Sequence, residues 1–363
     1  MSTETLTKKA KTNWFRKTDV PVVISGPCSV ETEEQVIETC KRLKATGKVD
    51  ILRGGIWKPR TRPGTFEGIG IKGLPWMQKV KEITGLPITV EVAKAAHVDA
   101  CLAFGVDILW VGARTTVNPF AVQEIADAVK GVDIPILVKN PINPDLALWM
   151  GGMERFRAVG VEKLGAIHRG FSHIGETFYR NRPEWQIAIE FMRQNPDTPL
   201  IGDPSHICGR RDILKDVSQK AINLGFDGLM IESHIDPDNA WSDAKQQITP
   251  EVLGDMITSL KARETKEDDA SAQESLSYLR QEINTIDDDI LNLFSSRMGI
   301  ARKIGEYKKA NNMTILQQKR WSEIIEKVQS KGVEKGLSKE FISKYIKAVH
   351  DESINQQEEI MKG

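Results

Sequence analysis

Between residue 20 and about residue 240, short runs apolar throughout alternate with longer amphipathic stretches. The apolar runs are PVVISGPC (21–28), ILRGGIW (51–57), PITVEV (87–92), ILWVGA (108–113), PILVKN (135–140), LGAIHRG (164–170), PLIGDPSH (199–206) and GLMIES (228–233). Runs without polar alternation predict strands covered on both faces, as in a parallel sheet. The stretches between them predict helices. After the first run, Thr32 and Gln35 have capping-box spacing, Val36, Ile37, Cys40 and Leu43 form one apolar stripe, and Gly47 marks the stop. Eight such repeats have the number and size of a (β/α)8 TIM barrel. A doubly wound open sheet would place a GxGxxG turn after its first strand, and GPCS at 26–29 is not one.

The pattern changes at 261–274, KARETKEDDASAQE, a charged and small-polar stretch that reads as a linker or an exposed helix end. Residues 275–363 lack proline and carry helical periodicity in three blocks, about 275–311, 317–331 and 338–361, with Gly332 and Gly336 between the last two. Leu279, Ile283, Ile286, Ile290, Leu293 and Phe294 fall on one side of the first block. The chain therefore divides into an N-terminal extension (1–19), an α/β barrel (20–260), a linker (261–274) and a small all-α, three-helix domain (275–363). One long and two shorter helices enclose little core, so the tail is expected to pair as a homodimer.

Composition narrows the function. Fifty basic residues balance fifty acidic ones over 363 positions, and aromatics make up only 6%. Neither suits a nucleic-acid or anionic-membrane partner. Cys28, Cys40, Cys101 and Cys208 form no close pair, which fits a reducing compartment. No apolar leader and no run of about 18 uncharged apolar residues is present, so a cytoplasmic location is expected.

In a barrel the chemistry gathers at the C-terminal strand ends. The first run ends at Cys28, the seventh at His206 and the eighth at Glu232, with Asp243 in the loop that follows. Singly these read as a buried thiol, a core histidine and a helix cap. Together, one thiolate, one imidazole and two carboxylates suit a divalent transition ion with an open position for a substrate oxygen. A second set is basic: Arg53, Lys58, Arg60, Arg114, Lys139 and Arg169 stand at or just after strand ends. Like charges converging on one mouth call for anions between them, phosphates or carboxylates held by forked guanidinium contacts.

GPCS (26–29), LRGG (52–55), KPRT (58–61), GAR (112–114), Lys139, HRG (168–170), DPSH (203–206) and the Glu232/Asp243 pair resemble 3-deoxy-D-arabino-heptulosonate 7-phosphate (DAHP) synthase, KPRT being the most discriminating element. The resemblance implies condensation of phosphoenolpyruvate with erythrose 4-phosphate, releasing phosphate, as the first step of aromatic amino-acid synthesis. It implies Cys28, His206, Glu232 and Asp243 as ligands of a divalent metal, Mn²⁺ foremost, with Fe²⁺, Zn²⁺ or Co²⁺ as alternatives. Arg53, Lys58, Arg114, Lys139, Arg169 and the backbone at Gly112 and Ala113 would hold phosphoenolpyruvate. Lys58, Pro59, Arg60 and Thr61 would form the tetrose-phosphate site. Lys58 and Lys139 are the implied catalytic cations; Glu91 either positions a water or serves as a structural carboxylate. A sister family making 3-deoxy-D-manno-octulosonate 8-phosphate shares the barrel but differs at the KPRT loop. The segment Pro141–Phe156 departs from the loop of many family members.

In the tail, Arg297 and Lys308 lie eleven residues apart and return to nearly one helix face, while Ser353 and Gln357 are an i, i+4 pair. The pattern LRQEINTIDDDILNLFSSRMGIARKIGEYK, with SINQQ near the end, resembles the all-helical chorismate mutases. This implies conversion of chorismate to prephenate at a site of Arg280 (from a partner subunit), Arg297, Lys308, Arg320, Ser353 and Gln357. Lys308 and Gln357 would face the breaking ether oxygen. Gln317 stands where an Asp is common and Trp321 where a Glu often lies. An inert dimerisation or sensor module is the alternative for the tail. Two activities of one pathway in one chain further suggest feedback on the barrel by chorismate or prephenate bound in the tail.

Overall fold

The computed structural model describes Phe15 and residues 21–59, 64–176, 178–262, 270–316 and 318–362, with the backbone alone at 270–275 and 318–320. It falls into two compact units, Met1–Thr265 and Lys266–Gly363.

All eight apolar runs form strands: β1 (Val22–Gly26), β2 (Ile51–Gly54), β3 (Ile88–Val92), β4 (Ile108–Val111), β5 (Ile136–Lys139), β6 (Leu164–His168), β7 (Leu200–Gly202) and β8 (Gly228–Glu232). They pair in parallel in chain order, and β8 pairs with β1 to close the barrel. Closure explains the apolar runs, since both strand faces are buried. Inward residues Ile24, Ile51, Ile108, Trp110, Leu137, Ile167, Ile201 and Met230 form the interior cluster, joined by Phe15 from the N-terminal extension. Outward residues such as Val23, Leu52, Val90, Leu109 and Val138 pack against the helices.

The first barrel helix (Glu33–Ala45) starts at Thr32, whose side chain accepts the Gln35 N–H, and ends ahead of Gly47 in the left-handed region. The capping is not reciprocal, because Gln35 Oε1 accepts from the Glu31 N–H rather than from Thr32. The segment 141–156, expected as a loop, is mostly helix. Asp145 caps Leu146–Ala158, and Trp149 of that helix donates from Nε1 to the Val138 carbonyl, which anchors it on β5.

The tail is three helices, Ala270–Ala310, Gln318–Glu334 and Lys339–Lys362. The first begins at Ala270, inside the stretch expected to be linker, as the helix-favouring Ala, Gln and Glu there allow. Gly332 does not end the second helix. It lies within it, where a Cβ would stand 2.4 Å from Ile342 Cδ1, so its smallness serves packing. Gly336, at φ +80°, makes the turn.

Candidate active sites

Parallel pairing sets the ends of β1 and β8 side by side, with Gly26 opposite Glu232. Cys28 follows two residues beyond. Gly26 cannot carry a side chain, because a Cβ would fall 2.0 Å from the Arg53 carbonyl oxygen of β2. The same crowding at Gly55, whose Cβ would meet the Cys28 carbonyl at 2.2 Å, brings the β2 end against the loop after β1. Lys58 reaches back across this gap and donates from Nζ to Cys28 Sγ (2.9 Å) and to the Cys28 carbonyl (3.0 Å).

Cys28 Sγ and the carboxylates of Glu232 and Asp243 offer ligand atoms all within 4.8 Å of one another. His206 adjoins them, with Nε2 3.6 Å from Glu232 Oε1. Its Nδ1 is held by Asp203 at 2.9–3.0 Å, which leaves Nε2 for the group. Glu232 Oε1 is buried without a hydrogen-bond partner, although Arg53 Nη1 stands 3.2 Å away. An orphaned oxygen beside a thiol, a carboxylate and a positioned imidazole fits a divalent metal with mixed S/N/O ligands.

Taken by themselves, the four groups are unevenly poised. Burial, reinforced by Glu232, pushes the Cys28 thiol up to about 12 against the pull of Lys58 and Arg53. Burial also opposes ionisation of Glu232, but His206, Arg53 and Lys58 hold it below the usual carboxylate range. Asp243 is lowered in the same sense by Arg180, with which it pairs at 3.0 Å. Burial lowers the His206 imidazole against the opposing pull of the Asp203 and Glu232 carboxylates.

Above this cluster opens a cavity of about 300 Å³ lined by Lys58, Pro59, Glu91, Gly112, Ala113, Arg114, Lys139, Ile142, Arg169, Ser172, Arg180, Asn181, His206 and Asp243. The expected cations Lys58, Arg114, Lys139 and Arg169 therefore meet in one place. Arg53 does not line it; it is buried against Glu232 with its guanidinium 4.9 Å from the Trp110 ring centroid. Arg60 and Thr61 lie outside the described residues. Burial, with Arg180 and Arg114 adding repulsion, lowers Arg169 to about 10 despite Asp203, the behaviour of a cation cluster awaiting anions. Glu91 accepts from Trp110 Nε1 at 3.1 Å and presses on Gly112, where a Cβ would meet Glu91 Oε1 at 2.0 Å.

Four contributors escaped the sequence reading. Asp203 joins the two halves of the site, accepting from Lys139 Nζ at 2.7 Å while holding His206. Its place in DPSH was the available signal. Arg180 and Asn181 come from the long segment after β6, and Asn181 Oδ1 accepts from Arg169 Nη1 at 2.6 Å. Trp110 reads as core in an apolar run, yet it supports both Arg53 and Lys139.

The sequence model of the DAHP synthetase I family matches residues 8–268, and that of chorismate mutase type II matches residues 279–358. The chain belongs to the DAHP synthetase I family. With the second match it unites a DAHP synthase barrel, a transferase, with a chorismate mutase domain, an isomerase, in one polypeptide. A phospho-2-dehydro-3-deoxyheptonate aldolase of Thermotoga maritima is 31% identical over 239 residues, covering 66% of this chain and 68% of the relative. A 2-dehydro-3-deoxyphosphooctonate aldolase of Legionella pneumophila is 28% identical over 262 residues, covering 66% and 90%. The crystal structure of the Thermotoga maritima aldolase (DAHP synthase) superposes with a TM-score of 0.60 at 29% identity, over 66% of this chain and 68% of that one.

The tail has its own cavity of about 430 Å³, lined by Arg297, Lys308, Ser353 and Gln357 together with Ile300, Ala301, Ile304, Ile315, Leu316, Trp321, Ile324, His350 and Ile354. Arg297 Nη1 donates to Ser353 Oγ, and Lys308 Nζ donates to Gln357 Oε1 at 3.0 Å. Gly305 permits this approach, since a Cβ there would already stand 3.2 Å from Gln357 Cα. Burial lowers the Lys308 ammonium. Trp321 stacks on His350 with ring centroids 3.7 Å apart. Arg280 is exposed and not among the lining residues, the Arg320 side chain is outside the description, and so is Gln317.

Proposed function

We propose that the barrel mouth condenses phosphoenolpyruvate with erythrose 4-phosphate at a metal held by Cys28, His206, Glu232 and Asp243. The observation that carries this is the clustering of Cys28, Glu232 and Asp243 beside a cavity lined by His206, Asp243, Lys58, Arg114, Lys139 and Arg169. Arg114, Lys139 and Arg169 bind and orient the phosphate and carboxylate of phosphoenolpyruvate, and Arg53, from beneath, adds positive charge to the floor. Lys58 with Pro59, Arg60 and Thr61 holds the tetrose phosphate and brings its aldehyde to the methylene carbon of phosphoenolpyruvate. A divalent metal held by these residues, Mn²⁺ in our reading, would supply Lewis acidity for the aldehyde. Glu91 borders the cavity and can hold the water that adds to the enol carbon before phosphate leaves.

In the tail, Arg297 with Arg320 and a partner's Arg280 would grip the chorismate carboxylates, while Lys308 and Gln357 stabilise charge on the ether oxygen of the concerted rearrangement. Pairing of two tails would cover Leu279, Ile283, Ile286, Ile290 and Leu293, all exposed on the first tail helix. Prephenate or chorismate bound in the tail would restrain the barrel. A cytoplasmic setting is supported by four unpaired cysteines, and among the described residues no helix is long and apolar enough to cross a membrane.

A second reading, synthesis of the octulosonate phosphate from arabinose 5-phosphate, is favoured by relatives such as the Legionella pneumophila aldolase. Phosphoenolpyruvate consumption measured with each aldose decides between them. The KPRT loop predicts turnover with the tetrose and little with the pentose, and the reverse preference would overturn the assignment.

A further inference from the structure

Glu31, at 5% exposure, and His234, at 3%, are buried ionisable residues that line neither cavity. Glu31 lies three residues after Cys28, and His234 two residues after Glu232. Removing a carboxylate from water is costly unless its oxygens are satisfied, and here both are. Glu31 Oε1 accepts from the Trp241 N–H at 2.7 Å, and Oε2 lies 3.3 Å from His234 Nε2. The Asp236 N–H donates to His234 Nδ1 at 2.9 Å. Nδ1 is thus the acceptor, so Nε2 carries the proton and donates to Glu31.

This node joins three segments that each carry a ligand: the loop after β1 with Cys28, the end of β8 with Glu232, and the stretch through Trp241 that delivers Asp243 two residues later. Parallel ties reinforce it. Ser29 Oγ bonds Ser242 Oγ, the Cys28 N–H donates to Gln247 Oε1 at 2.9 Å, and Gln247 Nε2 donates to the Ser242 carbonyl at 2.9 Å. Asp243 itself sits at φ +50°, the left-handed region, which Asp enters more readily than most non-glycine residues.

We propose that Glu31 and His234 are positioning residues of the metal site: their buried bond fixes the 234–243 loop against the β1 loop, setting the spacing of Cys28, Glu232 and Asp243. The proposal rests on the reading of those residues as metal ligands. It is tested by titrating the metal-stripped full chain with Co²⁺ and following the thiolate-to-cobalt absorption that reports ligation by Cys28. Glu31→Ala and His234→Ala should weaken Co²⁺ binding by about ten-fold or more, the usual effect of losing a group that orients a ligand. The KM for phosphoenolpyruvate should hold once metal saturates. His234→Gln, which keeps an N–H donor where Nε2 stood, should recover most of the affinity, a rescue that general loosening of the fold would not give. If the alanine variants do not fold, Glu31→Gln decides. It keeps an acceptor for Trp241 but turns an amide toward the His234 donor, so it should bind Co²⁺ several-fold more weakly. Folded variants binding within about two-fold of the parent overturn the proposal. A parent protein with no thiolate-to-cobalt band overturns instead the metal-site reading beneath it.

Discussion

Asp203 holds a Lys139 ammonium on one side and the His206 ring on the other, so its loss should reach both substrate and metal. Burial opposes its charge, yet His206 and Lys139 keep it well below the usual carboxylate range. Asp203→Asn should therefore lower kcat by about ten-fold or more, by analogy with other groups that orient metal ligands, with a far smaller effect on Tm; steady-state kinetics beside thermal melts check this. A different residue contributes to acid stability. His168 is enclosed by Trp149, Phe171, Trp185 and Phe226, and burial lowers it to about 3. A histidine lowered in the folded state takes up its proton on unfolding, so stability is lost as pH falls from about 6.5 toward 3, at up to about 1.4 kcal/mol per unit. His168→Leu should flatten that limb in urea titrations at successive pH values; an unchanged slope would mean that other groups set it. At this scale the sequence shows residues whose type is odd for their place, such as Cys28 and Glu232 at strand ends. It hides those whose type is ordinary: Trp110 looks like core, and Arg180 and Asn181 follow no apolar run.

Strands were the most legible elements, because a closed barrel buries both faces of each and leaves an unbroken apolar run. Boundaries set by contact were not. Gly332 looked like a stop and is a packing position against Ile342, and Pro141–Phe156 looked like a loop although Asp145 caps a helix within it. Close approach between elements is also invisible in a single chain, and the glycines record it. At Gly305 an added Cβ must push on the Gln357 backbone. Gly305→Val should accordingly cut chorismate turnover by about ten-fold or more through displacement of Gln357, while phosphoenolpyruvate consumption stays unchanged. Both assays on one preparation test this, and loss of the two activities together would point to unfolding instead.

Two compact units, each with a cation-lined cavity, account for two activities in one chain of zero net charge. Lys58, Arg114, Lys139, Arg169 and Arg180 line the barrel cavity and Arg297 and Lys308 the tail cavity, where the proposed anionic substrates would sit. Feedback belongs to this scale. Prephenate should inhibit the barrel reaction of the parent protein and fail to inhibit Arg297→Ala, whose loss removes a carboxylate anchor in the tail. Equal inhibition of both would exclude the tail cavity as the effector site. Every assignment in the larger unit depends on Cys28, His206, Glu232 and Asp243 acting on one ion, and the most direct measurement is phosphoenolpyruvate turnover with erythrose 4-phosphate after chelation and stepwise Mn²⁺ return. The parent should lose activity on chelation and regain it at one equivalent per barrel, and Cys28→Ser should regain little at that concentration. Full turnover by the chelated protein, or by Cys28→Ser without added metal, would contradict the account.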